Sequence, residues 1–322
     1  MSNLRRFSSL ANVAGLIAAW LLVFGFFSFK KHDTFMTVAN LELLARQTTI
    51  VALASLGMTM IIVSGGIDLS VGSVVAFVTV AIAATLKAGQ GPWVALFAGL
   101  LAGVLAGLLN GTLITKLKVG PFIVTLGTLL IIRGVAKDIA DEQKIDAPTN
   151  WLGDLIATLG PQDHWKIFPI GVWLTLVCAV LVSLLMKKTR FGRHIVAVGS
   201  NEAAARLCGI PVSRVRLAVY VLAGLFFGLA GLMQFSRLTV GDPTVAAGLE
   251  LDVIAAVVIG GASLNGGQGS VLGSLIGAFI MTTIRAGCSQ MGYKNYVQEI
   301  VTGLIIVGAV TLDKLRSKSP ST

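Results

Sequence analysis

The sequence is poor in charged and metal-binding side chains. Only 12% of its 322 residues are charged, whereas a typical soluble domain carries about 25%. It has three cysteines and three histidines, which are isolated from one another: Cys178, Cys208, Cys288, His32, His164 and His194. Because no disulfide or metal-ligand spacing occurs among them, we predict neither a disulfide framework nor a metal site.

Nucleotide-binding and catalytic motifs are also missing. The Walker A pattern, Gly-x-x-x-x-Gly-Lys followed by Ser or Thr, does not occur in the chain. The zinc-protease and serine-hydrolase patterns are absent as well. We therefore predict no ATPase or hydrolase activity, no catalytic residue and no cofactor bound by this chain alone.

The sequence is instead rich in long apolar runs. Hydrophobic residues make up 55% of the chain, and the mean hydropathy is +0.86. The runs are continuously apolar, which predicts an all-α polytopic membrane protein and argues against a barrel of alternating strands. We expect a single transmembrane domain over 1–322, with ten spans near 10–29, 41–64, 70–88, 92–115, 121–139, 167–186, 216–235, 248–263, 269–288 and 295–312.

The net charge of +10 is explained better by membrane topology than by nucleic-acid binding. With the N-terminus placed in the cytoplasm, 14 of the 25 Lys and Arg residues fall on the cytoplasmic side. Eight fall on or near the other side, so the distribution follows the positive-inside rule and places both termini in the cytoplasm. The first run, 10–29, is too long for a cleaved signal peptide and lacks a cleavage site, which predicts a retained helix.

Two loops are long enough to contain structure of their own. The predicted outer loop, about 140–166, carries five acidic residues, two tryptophans suited to a membrane interface and a short helix near 151–159. Its acidic and aromatic residues are Asp141, Glu142, Asp146, Asp154, Asp163, Trp151 and Trp165. The predicted inner loop, about 187–216, is the most basic part of the chain.

A short helix is predicted at 201–210 within the inner loop. Ser200 or Asn201 can cap its N-terminus, and Glu202 lies in the first turn, where a negative charge suits the helix dipole. Arg206 follows four residues later and can pair with Glu202. The helix would have about two turns and be roughly 10 Å long.

The end of this helix is marked as clearly as its start. Gly209 is a typical helix terminator, and Pro211 prevents the helix from continuing. A short, stiff helix between two apolar spans is suited to being bound by another protein in the cytoplasm.

Glycines recur at four-residue spacing in three spans. The rows are Gly99, Gly103, Gly107 and Gly111; Gly269, Gly273 and Gly277; and Gly224 with Gly228. Such rows let helix backbones approach closely, so we favour helix packing over a direct transport role.

An internal similarity links residues 65–74 with residues 260–271, if two inserted residues are allowed. Both stretches are rich in Gly and Ser, and both follow a span that runs from outside to inside. We therefore predict two halves related as a parallel repeat. The stretches either pack at a cytoplasmic turn or line a pathway.

Polar residues within or beside the spans are candidates for a translocation path. Asp68 and Ser70 could instead cap the following helix at the membrane edge, which we favour. Asn110, Thr112, Thr115, Thr125 and Thr128 could line a path for a neutral solute, or form hydrogen bonds between helices.

Charged residues in the spans require partners. Arg133 and Arg285 could snorkel or pair with a carboxylate. Glu250 and Asp252 could cap the eighth span. Glu42 and Arg46 are expected to pair on one helix face.

Taken together, four stretches resemble the membrane permeases of bacterial ABC sugar importers of the ribose, xylose, arabinose and galactose type. They are Ser64-Gly65-Gly66-Ile67-Asp68-Leu69-Ser70-Val71-Gly72-Ser73; Thr125-Leu126-Gly127-Thr128 with Arg133-Gly134; Phe191-Gly192-Arg193 through Gly199 to Ile210; and Glu250-Leu251-Asp252 through Gly260-Gly261. The resemblance extends from about Leu41 to Asp313, and Cys208 stands where the family typically has serine.

The resemblance implies a translocation subunit without its own ATPase site. A cytoplasmic ATP-binding subunit, which holds ATP and Mg²⁺, would dock on the family's coupling segment. Here that segment corresponds to Asn201, Glu202, Ala203, Ala204, Ala205, Arg206, Leu207 and Gly209. A second permease subunit would complete the pore in the bacterial inner membrane, and a periplasmic binding protein would deliver a monosaccharide to the outer loops.

Other functions are also considered. Within the ABC class, the solute could be a nucleoside or a signalling sugar. An ion-coupled secondary transporter usually needs carboxylates within the membrane, whereas the acidic residues here lie mostly at span ends. A membrane enzyme is disfavoured because no catalytic arrangement is found.

Overall fold

The computed structural model describes residues 2–160, 162 and 166–318. Within them the chain forms thirteen α-helices, a short 3-10 helix at Trp151–Asp154 and two short strands. The helices are α1 (Ser2–Lys30), α2 (His32–Phe35), α3 (Val38–Val63), α4 (Val71–Lys87), α5 (Pro92–Leu117), α6 (Pro121–Ile139), α7 (Ile170–Lys188), α8 (Arg190–Ser200), α9 (Glu202–Leu207), α10 (Val212–Leu238), α11 (Leu249–Ile259), α12 (Val271–Gln290) and α13 (Asn295–Lys318). Strands β1 (Ile145–Asp146) and β2 (Val240–Gly241) pair antiparallel.

Each of the ten predicted spans coincides with a helix, which confirms an all-α polytopic membrane protein. In the described part of the chain, six helices are long and apolar enough to cross a membrane: α1, α3, α5, α7, α10 and α12. The other four predicted spans correspond to α4, α6, α11 and α13. The count of ten crossings and the parallel repeat therefore stay predictions.

The predicted outer loop is partly described. The short helix expected near 151–159 is present only as the 3-10 turn Trp151–Asp154. Asp163, His164 and Trp165 lie outside the described residues. The loop is fixed to the helices by Ser236 on α10, whose Oγ accepts from Ile156 N (3.0 Å) and donates to Gly153 O (2.9 Å).

Helices α3 and α10 form the centre of the bundle. α3 is buried along most of its length, and α10 packs against α3, α4 and α5. Tyr220 and Phe227 of α10 are among the largest fully buried side chains. By contrast, α1 exposes large apolar side chains such as Leu22 and Phe29, which suits a helix that faces lipid.

The glycine row of α5 allows α5 and α10 to pack backbone against backbone. A Cβ atom at Gly103 would lie 2.5 Å from Gly224 O and 2.7 Å from Gly228 Cα. A Cβ atom at Gly107 would clash with Tyr220 O, so a larger residue would force the helices apart. The packing predicted for this row is therefore confirmed.

A second glycine contact joins α12 to α11. Cβ atoms at Gly273 and Gly277 would clash with the carbonyl oxygens of Gly260 and Ala256, respectively. Gly269 precedes α12 and lies in the connecting segment, so only part of the predicted row is helical.

Helix α11 starts beside the first turn of α4, and the residues just before it are partly buried or exposed. The segment 239–248, which leads into it, runs alongside α4. A Cβ atom built at Gly241 would lie 2.7 Å from Ala83 Cβ, and a Cβ atom built at Gly72 would clash with Ala246 O. Ala83 and Gly72 are eleven residues apart on α4, which corresponds to about 16 Å of helix. The segment therefore follows α4 over that length, and α11 is a short helix of 11 residues that begins where the segment ends.

Candidate functional site

The predicted coupling segment forms a short helix that is fixed at both ends. Asn201 Oδ1 accepts from Ala204 N (2.9 Å), so Asn201, and not Ser200, is the capping residue. Gly209 has a positive φ of 78°, a conformation that favours glycine and ends the helix. Both predicted boundaries of α9 are thus confirmed.

Glu202 binds two arginines. Its Oε1 lies 2.9 Å from Arg206 Nη2, as the four-residue spacing predicts, and its Oε2 lies 2.9 Å from Arg216 Nη2 on α10. The hydrogen bond from Arg216 and the two positive charges lower the pKa of the Glu202 carboxyl below its ordinary value of 4.5, although partial burial opposes the shift. The second ion pair, which sequence reasoning missed, ties α9 to the bundle.

Most of the remaining coupling residues are accessible. Ala203, Ala204, Arg206, Leu207 and Gly209 are exposed, whereas Ala205 is buried. Leu207 is a large apolar residue, yet 91% of its surface is exposed. The segment therefore presents both apolar and charged groups outward from a rigid backbone.

Helix α8, directly before α9, was not predicted. Thr189 Oγ1 caps it by accepting from Gly192 N (3.1 Å), and Gly192, Ile195 and Val198 form its buried face. Their three-residue spacing, with Arg193 and His194 between the first two, was the signal in the sequence that could have revealed this amphipathic helix.

The end of α8 joins the two similar stretches of the sequence. A Cβ atom at Gly266 would lie 3.0 Å from Gly65 Cα and 2.6 Å from Gly199 O. A Cβ atom at Gly199 would clash with Val63 O at the end of α3, and Gly267 N donates to the same carbonyl (2.9 Å). The two stretches therefore pack on each other and on α8, as the packing alternative predicted.

Asp68 is buried, and both of its carboxylate oxygens accept hydrogen bonds. Its Oδ1 accepts from Ser70 N (2.8 Å) and Ser70 Oγ (2.6 Å), and its Oδ2 accepts from Asn110 Nδ2 (3.1 Å). Neither Asp68 nor Ser70 gives α4 a side-chain cap, so the favoured capping prediction is wrong. The carboxylate instead joins the break before α4 to α5.

The same break is held by two more helices. Thr125 Oγ1 on α6 donates to Ile67 O (3.3 Å), and Tyr220 Oη on α10 donates to the same carbonyl (3.2 Å). Asn110 and Thr125 therefore make hydrogen bonds between chain segments, which was one of the two alternatives for them.

Arg133 supports the segment 239–248. Its Nη1 donates to Pro243 O (2.8 Å) and Val245 O (2.7 Å). Irregular backbone within a membrane protein must have its polar groups satisfied by protein or water, and Arg133 does this for two carbonyls. Among the described residues Arg133 forms no ion pair at contact distance, although the charge of Glu250 lies near enough to interact favourably with it. Snorkelling stays a prediction.

Of the predictions for Arg285, Glu250 and Asp252, some are confirmed and one is wrong. Arg285 pairs with a carboxylate as one alternative predicted, because its Nε lies 2.6 Å from Asp252 Oδ2. Glu250 and Asp252 lie in the first turn of α11. The Glu250 carboxylate accepts hydrogen bonds from the backbone of Gly248 and Glu250 at the start of the helix, as the capping prediction requires, whereas the described partner of Asp252 is Arg285. Capping of this helix by Asp252 is therefore wrong.

Glu42 and Arg46 bind the outer loop instead of each other. Glu42 Oε1 accepts from Leu159 N (3.0 Å), and Arg46 donates to Ile156 O and Thr158 Oγ1 (both 2.5 Å). The predicted pair is wrong because the loop places backbone groups within reach of both side chains.

A cavity of about 220 Å³ lies among α3, α10, α11 and α12. Its polar lining consists of Gln47, Gln234, Arg237, Asp252, Thr282 and Arg285, and residues 245–247 also line it. Of the residues predicted for a translocation path, Asp252 alone is among the residues that line this cavity. Arg133 binds the segment that leads into α11, whereas the hydrogen bonds of Asp68, Ser70, Asn110 and Thr125 hold the break before α4.

Comparisons with known proteins place this fold in a family. The family model described as "Branched-chain amino acid transport system / permease component" matches residues 40–310. The ribose import permease protein RbsC of Bacillus subtilis (strain 168) is 41% identical, covering 89% of this chain and 88% of the relative. The L-arabinose transport system permease protein AraH of Escherichia coli (strain K12) is 38% identical, covering 89% and 86%.

A relative of lower identity matches a larger share of this chain. The L-arabinose ABC transporter permease protein AraH of Azospirillum brasilense is 35% identical, covering 95% of this chain and 89% of the relative. No solved structure matches the chain. The resemblance to ABC sugar permeases is confirmed, and the chain belongs to this family of transport-system permease components.

Proposed function

We propose that this chain is the membrane subunit of a bacterial ABC importer that translocates a monosaccharide such as a pentose. The observation that carries the proposal is an exposed, rigid α9 in a multi-pass membrane protein whose relatives are named as ribose and arabinose permeases. The family description names amino acids. The names of the relatives at 35–41% identity favour a sugar instead.

The α9 segment supplies what a docking site for an ATP-binding subunit requires. Docking would cover Leu207 and remove its apolar surface from water, which favours association. The ion pair between Glu202 and Arg216 would carry movement from the bound subunit into α10. ATP and Mg²⁺ belong to that partner, and this chain needs no cofactor of its own.

The remaining partners follow from the same proposal. A second permease subunit completes the pore, and a periplasmic sugar-binding protein docks on the outer loop, about 140–166. Both termini are cytoplasmic, which places α9 on the side where ATP is available. This orientation rests on the excess of Lys and Arg on that side.

Uptake in membrane vesicles tests the energy source. We expect uptake of labelled ribose or arabinose to require ATP and the liganded binding protein, and to continue when ion gradients are collapsed. Uptake that persists without ATP while an ion gradient is held would instead establish a secondary transporter.

The solute class needs a separate measurement. The binding protein encoded beside this chain can be titrated with ribose, arabinose and nucleosides by calorimetry. Binding of a pentose supports the proposal, whereas selective binding of a nucleoside would reassign the solute.

A further inference from the structure

The cavity among α3, α10, α11 and α12 combines hydrogen-bond donors and acceptors. Gln47 and Gln234 supply amides, which both donate and accept, while Arg285 donates and Asp252 accepts. A neutral molecule with several hydroxyl groups can use both kinds of partner, because each hydroxyl donates one hydrogen bond and accepts others.

Three buried polar atoms of the lining residues form no hydrogen bond: Asp252 Oδ1, Thr282 Oγ1 and Arg285 Nε, the last of which lies in the ion pair with Asp252 Oδ2. Asp252 and Thr282 expose only 1% and 4% of their surface. Burying a polar group without a partner costs about 1–3 kcal/mol. Each atom has less than 1 Å² of accessible surface, so hydroxyl groups of a bound solute would satisfy Asp252 Oδ1 and Thr282 Oγ1, and remove that cost, once the two side chains turn towards the cavity.

The position of the cavity suits a transport pathway. It lies beside the first residues of α11, where the segment 239–248 ends. Helix ends and irregular backbone near the middle of a membrane commonly hold the substrate in transporters. The volume of about 220 Å³ is below the range of roughly 300–1,000 Å³ found for drug-sized ligands.

We propose that this cavity transiently holds one neutral, polyhydroxylated molecule of about the size of a single sugar ring. Asp252, kept in place by Arg285, accepts hydrogen bonds from its hydroxyls, and Thr282 and Gln234 complete the site. The inference rests on the proposed function, since it assigns a binding site along the path of that solute.

Accessibility of a cysteine placed in the cavity wall gives a direct test. Ala247 lines the cavity and is exposed, so Ala247→Cys in a Cys208→Ser background presents a reactive thiol. We expect ribose or arabinose to slow its reaction with a small thiosulfonate. The matched control is Thr244→Cys, an exposed position of the same segment that is not among the lining residues, and its reaction rate should be unchanged.

Uptake by the complete transporter gives a second, independent readout. Thr282→Val preserves side-chain shape and removes one hydroxyl, so sugar uptake per ATP hydrolysed should fall about two- to tenfold, the effect of one hydrogen bond. Thr48→Val is the matched control, because Thr48 also has a buried hydroxyl without a partner but is not among the lining residues. Uptake by that variant should equal wild type.

The two readouts separate failure of the site from failure of the proposed function. Normal ATP-dependent uptake by Thr282→Val, together with labelling of the Ala247→Cys protein that sugar does not slow, would overturn the cavity assignment and leave the importer intact. Protection by sugar without any ATP-dependent uptake by the wild-type transporter would support the cavity and overturn the importer.

Discussion

Glu202 Oε2 lies 2.9 Å from Arg216 Nη2, so an exposed six-residue helix is joined by an ion pair to one of the two central helices of the bundle. The same carboxylate also binds Arg206 within α9. Glu202 therefore both stabilises α9 and fixes its direction relative to α10.

Replacing Glu202 with lysine should impair coupling. The change removes both ion pairs and places a third positive charge beside Arg206 and Arg216, so α9 should lose its fixed position. We expect sugar-stimulated ATPase activity of the assembled transporter to fall, while membrane insertion is unaffected. An exposed pair is worth about 0.2–1 kcal/mol, so the milder Glu202→Gln should lower docking affinity by no more than about fivefold per pair.

Asp33→Lys is the matched control, because Asp33 is an exposed acidic residue outside both α9 and the predicted outer loop, on which the binding protein is proposed to dock. It should leave ATPase stimulation unchanged. Full coupling in the Glu202→Lys protein would remove the docking role from α9.

Acid should loosen α9. The pKa of Glu202 is lowered in the folded protein, so its ion pairs contribute fully above the ordinary value of 4.5 and are lost as the pH falls through the lowered pKa. Hydrogen-exchange protection of residues 202–208 should decrease over that interval. In Glu202→Gln, protection should start lower and not change with pH there; an identical acid transition in both proteins would assign it to another group.

Replacing Gly107 with alanine should destabilise the helix bundle. A Cβ atom there would clash with Tyr220 O, and overpacking of this kind costs about 1–3 kcal/mol. Gly127→Ala on α6 is the matched control, because no atom lies within 4 Å of its Cβ position. The control should be stabilised by up to about 1 kcal/mol, and thermal unfolding in detergent should separate the two variants in opposite directions.

Loss of Arg133 should release the segment 239–248. Arg133→Met keeps much of the side-chain length but leaves the carbonyls of Pro243 and Val245 without their donor. Hydrogen exchange of residues 243–248 should accelerate, whereas Lys116→Met, at an exposed position near the end of α5, should have no effect. Unchanged exchange in Arg133→Met would show that other groups support the segment.

Local signals in the sequence predicted the local structure well. The start and end of α9 depend on Asn201 and Gly209, whose preferences act over three or four residues. Glycines at four-residue spacing likewise indicate that another helix packs closely against that face, even when the partner helix is not known. Both kinds of signal are contained in a short stretch of chain, so they can be read without knowing the fold.

Non-local partners could not be predicted in this way. Arg133 was expected to need a partner, but its partners are carbonyls 110 and 112 residues away along the chain. Arg285 was likewise a candidate for pairing, but nothing in the sequence selected Asp252 over the other carboxylates. The cavity was missed for the same reason, because its lining comes from four helices.

Gly199, Gly65 and Gly266 meet where α8 reaches the stretches that lead into α4 and α12. None of the three has a side chain, so the contact is made by backbone atoms, which cannot change rotamer to absorb a displacement. Movement of α8 by the thickness of one atom must then move both stretches by a comparable distance. In mechanical terms, this junction behaves as a stiff linkage between the surface of the protein and two helices of its interior.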